Sequence, residues 1–202
     1  MKKKLQLILV SAFLATTAAN LSATTLLSVT GTTTSTQSIS TNQARVVSFV
    51  LPSDFSNVSL SADVTCISCT GTVYLMLNNI GPTATVGDLW QSFSYSGSQT
   101  LFSAQDLIAG TYFAILLETA GTTIWNATGS PSIVSNFGVA RGSDFRNASI
   151  NVGFPPASSF NALGGDVLQY TVTGTQAVPE PASLALIAAG LLALAAARKS
   201  RQ

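Results

Sequence analysis

The sequence predicts an all-β protein, a secreted β-sandwich of jelly-roll-like form, on three observations. Polar and apolar residues alternate with a period of two, glycine-rich turns punctuate short strands, and no convincing amphipathic helix lies between the two hydrophobic ends. In the stretch Asn57-Val-Ser-Leu-Ser-Ala-Asp-Val64, the side chains of Val58, Leu60, Ala62 and Val64 point one way. Ser59, Ser61 and Asp63 point the other. Leu168, Tyr170 and Val172 repeat the pattern further on. Denser apolar runs at 46–51, 72–77 and 111–117 predict strands covered on both faces. Turn clusters at Gly71, Gly81-Pro82, Gly97, Gly110, Gly121, Gly129 and Gly164-Gly165 separate these segments. No repeat of fixed length occurs, which disfavours a solenoid.

A chain of 202 residues has room for one domain and some extras. Charged residues make up only 8 %, about a third of the usual share. Between residues 24 and 178 the cations are Arg45, Arg141 and Arg146. The acids there are Asp54, Asp63, Asp88, Asp106, Glu118, Asp144 and Asp166, so this middle part carries a net charge of −4. A weakly acidic surface without lysine has no electrostatic hold on a phosphate backbone, which argues against nucleic acid as a partner. Its polarity comes from Ser, Thr, Asn and Gly, which suit strands and loops better than helices. The Ser/Thr-rich stretch 24–44 is expected to be a flexible leader, and 45–175 the sandwich ectodomain.

Both ends look like addresses. Lys2, Lys3 and Lys4 precede an apolar stretch at 5–15 and then small residues, the form of a secretory signal peptide over residues 1–23. Ala19 and Ala23 each place a small residue at a cleavage point. At the other end a linker at 176–181 contains Pro179, Glu180 and Pro181, and the two prolines keep it extended. Residues 182–197 form an apolar run of 16 residues, about 24 Å as a helix and a short membrane span at best. Arg198, Lys199 and Arg201 follow in a basic tail, 198–202, which the positive-inside rule holds in the cytoplasm.

Pro179-Glu180-Pro181, a short Leu/Ala helix and a basic cluster together resemble the PEP-CTERM sorting signal of exopolysaccharide-producing bacteria. The resemblance covers 178–202. It implies recognition and cleavage near the Pro-Glu-Pro by exosortase, an integral-membrane transpeptidase-like enzyme. Pro179, Glu180 and Pro181 would take the recognition position, and Arg198, Lys199 and Arg201 the retention cluster. The expected itinerary is export, a single-pass intermediate in the inner membrane, and then the cell surface or extracellular matrix.

The chemistry of the middle part is sparse. Histidine is absent, so a Ser-His-Asp or Cys-His arrangement cannot form. No glycine-rich phosphate loop follows a strand. A glycosidase-type carboxylate pair drawn from the seven acids is what remains for an enzyme, and solvated loop acids are the simpler expectation. Cys66 and Cys69 are the only cysteines; zinc needs four ligands and lacks them here. In an exported chain the pair, lying after a strand and just before the turn Thr70-Gly71, is expected as a disulfide that locks this turn, a local brace because the loop is short. The triplets beginning at Asn57, Asn126 and Asn147 fit the N-glycosylation pattern, but an Asn/Ser/Thr-rich chain produces them by chance. Trp90, Phe93, Tyr95 and Trp125 either stack against sugar rings or, as is commoner in sandwiches, fill the core.

The expectation is therefore a non-catalytic envelope or matrix protein acting by adhesion or exopolysaccharide association, with no catalytic residues, cofactor or metal. Its partners would be an exosortase-type enzyme, the membrane and a polysaccharide. The alternative is a secreted glycan-active enzyme using two carboxylates.

Overall fold

The computed structural model describes residues 22–150 and 154–176. The Pro-Glu-Pro linker, the apolar run 182–197, the basic tail and nearly all of the signal segment lie outside the described residues. Among the described residues no helix is long and apolar enough to cross a membrane; the helical turns there are 3₁₀ segments at Val86–Asp88 and Pro155–Ala157. Everything else is strand or loop.

Two antiparallel sheets face each other. In spatial order the first contains β7 (Thr100–Leu107), β4 (Phe55–Ala62), β14 (Tyr170–Gln176), β1 (Thr24–Thr30) and β9 (Ser132–Ser135). The second is built on β8 (Gly110–Thr128), with β3 (Ala44–Leu51) on one side and β5 (Val64–Leu77) on the other. Beyond β5 lies β6 (Leu89–Tyr95); beyond β3 lie β11 (Phe145–Asn147) and β12 (Asn161–Ala162). β10 (Ala140–Arg141) also pairs with β3, while β2 (Ser35–Ser40) and β13 (Val167–Leu168) pair with β8. One core joins the sheets. Leu26, Val58, Leu60 and Val172 from the first meet Val47, Phe49, Val73, Leu75 and Trp125 from the second.

The alternation read from sequence is the burial pattern observed. Val58, Leu60, Ala62, Leu168, Tyr170 and Val172 are buried, and Ser61 is exposed. The runs at 46–51, 72–77 and 111–117 are indeed covered on both faces. Their inner side chains join the main core, while Val46, Met76, Ile115 and Leu117 form a second cluster on the outer face of the sheet. Phe145, Ile150, Phe154 and Phe160 pack over that second cluster.

The leader is a correction. Residues 24–44 supply β1 and β2, and Leu26, Leu27, Val29 and Ile39 are fully buried. The sandwich thus begins at Thr24 rather than at residue 45. Threonine is stiff at χ1 and fits a pleated, half-buried surface, so a Thr-rich stretch with a few apolar residues makes a strand once a core receives them.

Alternation also hides a change of sheet. It runs through Asp63 without interruption, yet β4 belongs to one sheet and β5 to the other. Gln169 marks a second crossing, between β13 and β14, and the two crossings are bonded together. The Asp63 amide donates to the Gln169 carbonyl (3.0 Å), the Gln169 amide to Asn126 (3.0 Å) and the Asn126 amide to Asp63 (2.9 Å). Trp125 Nε1 adds a bond to the Gln169 carbonyl at 2.8 Å.

Cys66 and Cys69 are disulfide-bonded, with Cα atoms 5.6 Å apart. They do not lock a turn. They bracket a bulge within β5, where the pairing with β8 shifts between Ile67 and Thr70. Ser68 there has φ +50°. Opposite it, a Cβ on Gly121 (φ +80°) would sit 2.2 Å from the Ser68 carbonyl oxygen, so only glycine fits this close approach.

The two ends of the domain share one pole. Thr24 faces Gly174, Gln176 faces Phe55, and Phe55 faces Leu107. On the other sheet, Leu51 opposite Gly110 and Leu77 opposite Tyr112 reach the same level.

Candidate functional site

On the outer face of the larger sheet, the segment after β5 and the segment around β11 and β12 leave a cleft of about 410 Å³. Its walls are Asn78, Asn79, Ile80, Gly81, Pro82, Phe113, Phe145, Ser159 and Phe160. β5 ends at Leu77, and Asn78 turns the chain outward with φ +64°. The turn is fixed twice to β8: the Asn78 amide donates to the Thr111 carbonyl (2.7 Å), and its Oδ1 accepts from the Thr111 amide (3.1 Å). The Gly81 amide donates to the Pro156 carbonyl at 2.9 Å, tying the two walls together. Phe113 and Phe145 lie 6.3 Å apart between centroids with their planes tilted by 52°. None of the lining residues is charged. Half-buried rings beside amides offer apolar faces and directional hydrogen bonds, the usual mixture in small-ligand clefts.

A second, smaller cleft of about 290 Å³ lies where the strands cross between sheets, lined by Thr30, Ser61, Ala62, Asp63, Gln99, Gln169, Tyr170 and Thr171. Asp63 is its single acid.

The aromatic residues picked from sequence go mainly to the core. Trp125 and Tyr95 are buried. Trp90 packs edge-on against Tyr112 (5.9 Å), and Phe93 stacks on Phe102 (5.6 Å). Phe145 and Phe160 lie in a stretch without periodicity, so no local periodic pattern marks the rings of the cleft. Their signal was a series of phenylalanines in an otherwise loop-like, Asn/Ser/Pro-rich segment.

Each acid has a local partner. Asp54 accepts from the Ala109 amide, Asp106 from the Asn57 amide, and Asp88 from the Thr85 amide. Asp63 accepts from Asn126 Nδ2 and Asp166 from the Ser35 hydroxyl. Asp144 is ion-paired with Arg141 at 2.9 Å and accepts from the Leu168 amide. Glu118 is fully buried; Thr123 donates to its Oε1, and its Oε2 has no hydrogen-bond partner among the described residues.

Burial pushes the Glu118 carboxyl above the ordinary glutamate value, and the Thr123 bond opposes this only in part. Asp144 is also raised by burial, against the pull of Arg141 and the Leu168 amide. A carboxyl whose native pKa exceeds its unfolded one binds its proton more tightly when folded. Its contribution is most favourable below the unfolded pKa and is lost as pH rises through the native one. Urea midpoints should therefore fall as pH rises from the ordinary glutamate range towards neutrality, and Glu118→Gln should flatten that slope. An unchanged slope in the variant would show that Glu118 does not carry the effect.

Cys66 and Cys69 are brought together as expected. Pro179, Glu180, Pro181, Arg198, Lys199 and Arg201 lie beyond Gln176, outside the described residues. Their pattern has independent support, because residues 177–201 match the PEP-CTERM protein-sorting motif. No curated protein matches the chain. The motif implies processing by exosortase, a membrane enzyme, and sorting towards the cell surface. The described residues thus form an all-β fold, and the chain carries a PEP-CTERM protein-sorting motif at residues 177–201.

Proposed function

We propose that this is a non-catalytic cell-surface or matrix protein whose sandwich holds an exopolysaccharide in the cleft beside Phe160. The observation that carries the reading is the lining itself: phenylalanine rings and asparagine amides with no charged group. Sugar rings present apolar C–H faces and a rim of hydroxyls, and such a lining complements both. The partners bonded to all seven acids of the domain support a structural role for those acids. The enzymatic alternative requires two carboxylates about 5–10 Å apart, and the smaller cleft offers Asp63 alone. The strand order supports a jelly-roll-like scaffold, since successive long strands alternate between the two sheets.

The test is a glycan array probed with the secreted, tail-processed protein, followed by titration of the best ligand. Phe160→Ala and Asn79→Ala should each weaken binding about tenfold, roughly 1.4 kcal/mol, and Asn79→Ala should do so without moving the urea midpoint appreciably. Equal affinity in both variants would remove the cleft from consideration. Release of reducing sugar from the bound glycan would favour the carboxylate-pair enzyme instead.

A further inference from the structure

The chain leaves the described structure at Gln176, which is still paired with Phe55. Five residues, 177–181, then separate it from the apolar run that starts at Ala182. Fully extended, the six steps from Gln176 to Ala182 span at most about 22 Å. While that run sits in a bilayer, the pole of the sandwich at Gln176 is held within this distance of the lipid surface. Thr24 enters at the same pole, opposite Gly174. Both ends of the folded domain therefore point the same way.

Two apolar side chains are exposed at this pole. Ile108, 47 % exposed, directly follows Leu107, the partner of Phe55. Phe137, 49 % exposed, packs its ring edge-on against Phe55 at 6.4 Å. The loop carrying Phe137 is fastened to the start of β1: the Asn136 amide donates to the Leu26 carbonyl (2.8 Å) and its Nδ2 to Thr25 (2.7 Å). On the third loop of the pole, Pro52 lies beside Gly138 and is exposed, as is Ala109 beside Ile108. Loops from three parts of the chain thus bring apolar groups to the one end from which the chain runs to the membrane. A single exposed apolar residue is unremarkable on a soluble domain. Their convergence at the point of exit is a geometric coincidence that a lipid contact explains.

We infer that this pole, through Ile108 and Phe137, rests on the lipid surface while the chain still carries its apolar tail. This rests on the reading of residues 182–197 as membrane-embedded. The contact is apolar rather than electrostatic. The nearby charges are Asp54, bonded to the Ala109 amide, and Asp106, bonded to the Asn57 amide, and neither attracts an anionic lipid. High salt should therefore leave the contact in place, unlike a basic patch on lipid.

Both cysteines of the chain are in the disulfide, so an added cysteine can be spin-labelled alone. The experiment uses the full, uncut chain from cells lacking exosortase, reconstituted in phosphatidylethanolamine/phosphatidylglycerol vesicles. Labels are placed by Ile108→Cys, Ala109→Cys and Phe137→Cys, with Ser130→Cys as the control. Ser130 is exposed and follows Thr128, the end of β8 remote from Gly110 and the pole. Labels at 108, 109 and 137 should be several-fold less accessible to a water-soluble nickel chelate than the label at 130, at low and high salt alike. If the chain floats with the vesicles and all four labels are equally wet, the lipid contact is wrong and the tail reading survives. If the chain fails to float, both fall. Shielding that occurs only when exosortase is co-reconstituted would make the enzyme, not the lipid, the partner, and would overturn the proposal.

Discussion

Replacing Pro179, Glu180 and Pro181 together with alanine should leave the chain uncut, larger than the wild-type product and confined to the inner membrane. Each proline removes a backbone donor and clashes with a preceding helical turn. A helix-interior proline is about 3 kcal/mol less favourable than alanine, so the triple change would let a helix formed by the apolar run extend outward through residues 179–181. As a helix, the run of 16 residues would be about 24 Å long against a hydrocarbon core of about 30 Å, too short to anchor well. The structure adds a constraint. Only Ala177 and Val178 separate the last residue of β14 from Pro179, so the recognition residues follow the folded sheet closely along the chain. An epitope in the open loop at Gly164-Gly165, where a side chain would touch nothing within 4 Å, reports mass and cell fraction for both forms. Wild-type protein that keeps residues 198–202 and stays wholly in the inner membrane would replace the sorting signal with a plain single-pass anchor.

Trp125→Ala should cost the sandwich about 3–5 kcal/mol, a large part of the 5–15 kcal/mol that such a domain holds. Trp125 is fully buried in the core. Its indole fills the space beneath the paired crossings at Asp63 and Gln169, and its Nε1 bond to Gln169 is one of the ties that hold them. Truncation opens a cavity where two strands change sheet, a place with few other means of repacking. Trp125→Phe should recover much of the packing while forgoing the hydrogen bond, itself worth about 1 kcal/mol. Urea denaturation of the secreted protein with its disulfide intact gives both values. A midpoint for the alanine variant close to wild type would mean the crossings hold without the indole.

Where one face of a strand is polar and the other apolar, as in Val58-Ser59-Leu60-Ser61, sequence alone revealed both the strand and its buried side. The runs covered on both faces were legible for the same reason, since only an interior sheet tolerates them. The sorting residues were legible because their order along the chain is itself the pattern. β1 and β2 were not, because Thr and Ser serve equally in leaders and in pleated surfaces, and only the core that receives Leu26, Leu27 and Val29 decides between them. Nor could the bulge at Cys66 and Cys69 be told from a turn, since both need a left-handed residue and a small neighbour. The cleft was the least legible part. Its walls come from segments far apart in the chain, and Asn78 and Phe160 are brought together by sheet pairing that no local pattern encodes.

The placement of β14 bears on when the protein becomes folded. Among the described residues it is the last strand made, yet it lies inside its sheet, between β4 and β1. Its partner β1 is the first, some 150 residues away at the pairing of Thr24 with Gly174. Contacts that close so long a loop form late and slowly. A chain emerging from its N-terminal end cannot complete this sheet until residue 176 has crossed, and by then the apolar run is entering the translocation machinery. Export thus proceeds on an incomplete sheet with its edges open. Completion of the sheet therefore falls after residue 176 has crossed, when only residues 177–181 separate the domain from the apolar run.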